Sequence, residues 1–148
     1  MSVDIKINLN MDPLGVLLKN AEDSKKVVKV GVLGNTRNAS VLATHEFGSI
    51  TKRIPRRSVL RDTLVYKKEE LEIKVIQLTI DNLDKKNGFT IALKKIGIYA
   101  ENLIQQAFKT GGFGKWQALK QSTIDNKKSD KILIDTAQLR RGITSKVE

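Results

Sequence analysis

The sequence predicts an α+β fold, with a small, mostly antiparallel sheet covered by a long helical hairpin and flanked by short helices. Three observations carry that expectation: β-branched segments towards both ends, a stretch from Ser58 to Phe108 patterned at helical period and interrupted once, and glycine-rich or polar breaks elsewhere. The chain has 148 residues, 40% of them hydrophobic and only 5% aromatic, so one domain spanning 1–148 with an aliphatic core is expected. It contains no Cys, which removes disulfides, thiolate metal sites and thiol nucleophiles from consideration.

Residues 4–10, "DIKINLN", put Ile5, Ile7 and Leu9 on one side at period two, as a half-buried strand does; a flexible N-terminal arm over about 1–10 and the glycine loop around residue 112 are expected as candidate segments that order upon assembly. Asp12 offers an N-cap oxygen and Pro13 a preset φ, predicting a short helix over "PLGVLLKNAED". "KVVKVGVLG", residues 26–34, is β-branched and ends in a turn signal, which predicts a central strand. Asn38 is placed to cap a brief helix that Gly48 stops. From Ser58, Leu60, Leu64, Leu71, Val75 and Leu78 recur on one stripe, predicting one helix to about Leu83. "DKKNG" interrupts it, and Ile96, Tyr99, Ala100, Leu103 and Ala107 mark a second, antiparallel helix. Glycines at 111, 112 and 114 predict a flexible loop over 109–115, and "DNKKSDK" a polar loop over 125–131. "ILI" (132–134) is expected to be a short strand, "DTAQLRRG" a capped helical turn ending at Gly142, and "ITSKV" a final strand.

The chemistry-bearing residues are few. His45 and Glu46 open like a zinc-protease helix, but the second histidine would stand at position 49, which is Ser49, and His45 is the sole imidazole. Neither metal ligation nor a nucleophile–base pair is expected; the reading is non-enzymatic, with no cofactor, and His45 makes a structural hydrogen bond at a helix end. "GGFG" matches neither a dinucleotide fingerprint nor a phosphate loop. Glu69, Glu70, Asp81 and Asp84 lie beside lysines as solvated ion pairs. No apolar run reaches membrane-spanning length and the N-terminus lacks a leader pattern, so a soluble, unexported chain is expected.

Charge is the strongest compositional signal: 27 basic against 16 acidic residues give +11 and a pI near 9.9. Polyanions or acidic protein surfaces should attract such a chain. The densest cluster is Lys52, Arg53, Arg56, Arg57 and Arg61, stiffened by Pro55. No aromatic residue is interleaved there, so an acidic protein partner is at least as good a match as nucleic acid.

Three segments, in order, are similar to the tail-completion family of tailed bacteriophages, also described as head-tail joining, neck or virion morphogenesis proteins. "VLATHEFGSITKRIPRRSVLRDTL" (41–64) resembles the family's His-Glu-Phe-Gly, then Ile-Pro-x-Arg, then apolar-Leu-Arg pattern through His45, Glu46, Phe47, Gly48, Pro55 and Arg57. "KKIGIYAENLIQQAF" (94–108) resembles its Gly-containing amphipathic helix, and the stretch from Lys115 to Val147 resembles its ending through Trp116, Leu119, Asp135, Thr136 and Leu139. Ala118 and Ala137 stand where the family commonly has Pro and Gly. The resemblance implies that these residues determine the fold, and that function lies in a ring of six subunits at the head-proximal end of the tail. Implied partners are further copies of the chain, the head connector or stopper, and tail terminator or tail tube proteins, around a channel that DNA traverses; no membrane is involved. Implied location is the virion neck, after assembly in the host cytoplasm. Lys52, Arg53, Arg56 and Arg57 are the expected partner or channel contacts. A tail terminator or other minor tail protein is the near alternative, and a small basic nucleic-acid-binding protein the alternative of another class.

Overall fold

A computed structural model describes residues 13–34, 36–127 and 138–148. Its element order is α1 (Pro13–Asp23), β1 (Val28–Val32), α2 (Thr36–Phe47), α3 (Arg61–Tyr66), α4 (Lys68–Ile80), α5 (Gly88–Thr110), α6 (Gln121–Lys127), α7 (Gln138–Arg141) and β2 (Ile143–Val147). The fold is α+β: a two-stranded antiparallel sheet carries the long helix α5 on one face. The strand expected over 4–10, the one over 132–134, the cap at Asp12 and the family-motif residues Asp135 and Thr136 lie outside the described residues.

β1 and β2 pair from Val28 with Val147 to Val32 with Ile143, and reciprocal backbone bonds between Val27 and Glu148 extend the ladder. Alternation then does the sorting: Val28, Val30, Val32, Ile143, Ser145 and Val147 are buried or half-buried, while Lys29, Thr144 and Lys146 are exposed. β1 was expected to be central; among the described residues it has one neighbour, and its open face carries Lys29 and Lys146, both ion-paired to Glu148.

Helix α5 reaches the strands closely because Gly97 has no side chain. A Cβ there would stand 2.5 Å from the Ser145 hydroxyl and 2.9 Å from its Cβ. Ala92, Ala100, Leu103, Ile104, Ala107 and Phe108 continue the buried stripe of α5. The core gathers Leu42, Val59, Ile104, Phe108, Leu139 and Ile143, with Trp116 edge-on to Phe108 at 6.1 Å. Burial of each such aliphatic side chain is worth roughly 1.5–3 kcal/mol.

The single helix expected from Ser58 to Leu83 is two, α3 and α4, broken at Lys67, where no Gly or Pro announces it. Glu70 lies opposite Tyr99, and Asn82 accepts from Lys95, so α4 and α5 run antiparallel. The hairpin turn is a polar knot. Asn82 is fully buried, donating to the Leu78 carbonyl at 2.6 Å, and Gly88 packs on its backbone so tightly that a Cβ would come within 1.7 Å of the Asn82 carbonyl oxygen. Helix α1 locks onto this turn. Asn20 donates to the Leu83 carbonyl and accepts from the Phe89 N–H, satisfying an early donor of α5, while buried Asp23 accepts from Thr90 and Lys26. Hydrogen bonds from Lys26 and then Thr90 hold the Asp23 carboxyl below its ordinary pKa.

Other departures are local. Asn38 lies inside α2, which starts at Thr36, and α6 occupies the start of the expected 125–131 loop. The glycine loop winds into bonded turns: Gly112 N–H reaches the Ala107 carbonyl at 2.8 Å across left-handed Gly111, with Gly114 and Trp116 bonding behind it. No helix among the described residues is long and apolar enough to cross a membrane.

Two outcomes follow. Gly97→Leu should lower stability by about 1–3 kcal/mol in chemical denaturation, from overpacking against Ser145 and Val28. Folding depresses the Asp23 pKa below 3.8, so its stabilisation is present above about pH 4 and lost as pH falls through the folded value. Wild type should therefore lose stability faster than Asp23→Asn on acidification below pH ~4; equal acid slopes by circular dichroism would refute this.

Candidate functional site

The site is built on the end of α2. Gly48, at φ 76°, reverses the chain where a side chain would crowd the Arg56 backbone nitrogen at 3.0 Å. Ser49 and Ile54 then exchange backbone bonds of 2.9 and 2.8 Å, pinching off the tip Ile50–Arg53, where Arg53 takes a left-handed φ of 51°. The returning strand zips back along α2: Arg57 N–H donates to the His45 carbonyl at 2.8 Å, and Arg56 Nε to the Glu46 carbonyl at 3.2 Å.

Glu46 organises the return. Its carboxylate accepts from the Ser58 hydroxyl at 2.5 Å and from the backbone N–H groups of Val59, Leu60 and Arg61 at 2.8–3.0 Å. These are the orphan donors at the start of α3, with Ser58 Oγ accepting the next, from Asp62. A carboxylate there also complements the positive end of the helix dipole. One consequence is geometric. Successive helical side chains turn about 100°, so with Glu46 aimed at α3, Phe47 faces solvent and is 78% exposed. Phe47, one of the residues that the resemblance counts as determining the fold, thus projects outward.

The four basic residues of the loop separate into two kinds. Arg57 is 6% exposed and its Nε and Nη2 both donate to the Gln117 carbonyl, at 3.2 and 3.0 Å. Burial lowers its pKa, and the fork straps the loop to the segment following α5. Arg57 is therefore a structural strut and not a contact for an outside partner, which corrects one half of its expected role. Arg56 is ion-paired to Asp62 at 2.6 Å. Lys52 and Arg53 are exposed at the tip and have no acidic partner among the described residues.

Residues that are distant in sequence meet here. His45, Phe47, Gly48, Pro55, Arg57, Leu119 and Leu139 all line one open groove of about 1220 Å³, joined by Gln117–Lys120 and by α2. Trp116 anchors its edge against Phe108. Apolar Val41, Phe47 and Ile50 are exposed, Ile50 to 98%, while Arg37, Lys52, Arg53 and Lys120 form a basic rim. Arg37 and Lys120 escaped the sequence reading, because neither belongs to a charge cluster. His45 is half-buried, and among the described residues no group of His, Cys, Asp and Glu is arranged to hold a metal. The arrangement suits an amphipathic ligand of opposite charge.

Glu46→Ala should destabilise the fold by roughly 2–4 kcal/mol, since it strands backbone donors around fully buried Val59, whereas Lys52→Ala and Arg53→Ala should stay within about 0.5 kcal/mol. Urea midpoints measured on the three variants check the ranking; equal midpoints would show that the carboxylate is dispensable.

No protein-family model matches the chain, and neither a curated protein nor a solved structure is significantly similar to it.

Proposed function

We propose that the chain is a structural neck subunit of a tailed bacteriophage, forming a ring that completes the tail and docks it to the head connector. The observation that carries this reading is the convergence just described. Of the residues that carry the likeness to tail-completion proteins, His45, Phe47, Gly48, Pro55, Arg57, Leu119 and Leu139 line one groove, Glu46 holds its loop, and Trp116 packs on Phe108 next to the lining residue Gln117. Several of them are spent on holding the loop's shape, and what the loop offers to the outside is Lys52, Arg53, Ile50 and Phe47. A stiff loop with apolar and cationic tips supplies shape and charge for docking and needs no reacting group. Positive charge beside a DNA channel adds steering.

Particles assembled without the chain should accumulate filled heads and separate tails, and adding the purified chain should restore joining; full joining in its absence overturns the reading. The rival of another class, a free-standing nucleic-acid binder, is separated by salt titration on random duplex. Arg56 and Arg57 are engaged internally, so only Lys52 and Arg53 of the loop's four cations remain for phosphate. The log–log salt slope should be no steeper than about −3 at ~0.9 per phosphate; tight binding with a slope near −8 favours the rival.

A further inference from the structure

The groove between α2 and Gln117–Lys120 has a one-sided charge. Arg37, Lys52, Arg53, Arg56, Arg57 and Lys120 line it, and none of its described lining residues is an Asp or a Glu. Two of these cations are engaged within the chain, Arg56 on Asp62 and Arg57 on the Gln117 carbonyl. Arg37, Lys52, Arg53 and Lys120 are exposed, and no ion pair engages them among the described residues. The rest of the lining is largely apolar. Val41, Phe47 and Ile50 are 42%, 78% and 98% exposed, with half-buried Ile54, Pro55 and Leu119 beside them. From Arg37 to Phe47, α2 advances about 15 Å at ~1.5 Å per residue, and the tip bearing Lys52 and Arg53 is attached at its far end through Gly48. Free cations therefore stand at both ends of an apolar band.

We infer that this groove receives an acidic amphipathic segment of a partner protein, which lays apolar side chains on Val41, Phe47 and Ile50 and sets carboxylates against Arg37 at one end, Lys52 and Arg53 at the other, and Lys120 across the groove. The inference rests on the docking role proposed above and deepens it by stating the chemistry of the partner. Carboxylates about 15 Å apart fall roughly ten residues apart on a helix, or roughly five on an extended strand. Charge fixes the sign of the occupant. A basic segment would set like charges together, and a neutral one would desolvate four cations with nothing to pair them. The apolar band argues for protein over nucleic acid. A sugar-phosphate backbone would meet Val41 and Ile50 with polar groups, and Phe47, the one aromatic among the described lining residues, offers a single stacking surface. A charged rim around an apolar centre is how protein interfaces are built.

The experiment selects binders for the immobilised full chain from a random library of peptides about twelve residues long, enough to span the band as a helix. Enriched peptides should be acidic and carry apolar residues between their carboxylates. The variant R37E/K52E/R53E/K120E, its folding verified by circular dichroism, should bind them about tenfold more weakly or worse, and should enrich basic peptides in a selection of its own. V41S/I50S, which leaves every charge in place, should weaken binding as well. Because the chain has no Cys, V41C supplies a unique thiol. A maleimide should label it in the free chain, and an enriched peptide should protect it. A selection that enriches nothing, or enriches neutral or basic peptides, overturns the inference, as does a reversed variant that selects the same peptides. A V41C thiol protected with no peptide added would show that the chain covers the groove itself, which also overturns it. Random duplex DNA that binds the groove more tightly than the peptides at about 0.15 M salt assigns the face to nucleic acid instead. The neck reading is decided apart from these outcomes, by particles assembled without the chain.

Discussion

The Glu46 carboxylate is the constraint on which the site depends. A short helix such as α3 has more orphan N–H groups than it can satisfy from within, and its start at Val59–Arg61 is partly buried, where water is a poor substitute. Glu46 supplies a charged acceptor from another element, so α2 and α3 cannot move independently without stranding those donors. The thirteen residues between them are thereby held as a closed excursion, pinned at its neck by the Ser49–Ile54 pair and at its base by Arg57 on Gln117.

The molecule thus divides its polar residues by task. Asn20 and Asp23 are buried and hold α1 to the α4–α5 turn, which buried Asn82 braces from within; Glu46, Ser58 and Arg57 hold the loop. Their side chains are committed, and their contribution lies in specifying one arrangement of elements. Lys52, Arg53, Arg37 and Lys120 are left at the surface, so the charge that this site offers to a partner is smaller than its cluster of basic residues suggests.

Exposure of apolar surface follows a similar logic. Helix α4 buries no residue fully, although it carries apolar side chains on two stripes. One stripe faces α5 and the other faces outward beside carboxylates, while Phe47 and Ile50 project from the basic loop. A monomer gains nothing from such exposure, and contiguous apolar patches of this kind mark interaction surfaces.

How much of this was legible varies by element. The strands at 28–32 and 143–147, the helix stopping at Gly48 and the stripe of α5 were readable, because period and glycine placement act locally and each residue there obeys one rule. The break at Lys67 was not, since no breaker stands there, and the outward stripe of α4 was masked by the inward one, as both share the same helical period. At the site, the chain alone marked His45–Gly48 and Lys52–Arg57 as a unit and placed the charge. Which arginines face solvent, that Glu46 caps a helix fourteen residues on, and that Phe47 points outward depended on elements brought together from distant positions. Hydrogen-bond partners and burial are properties of neighbours in space, and a linear pattern records only neighbours along the chain.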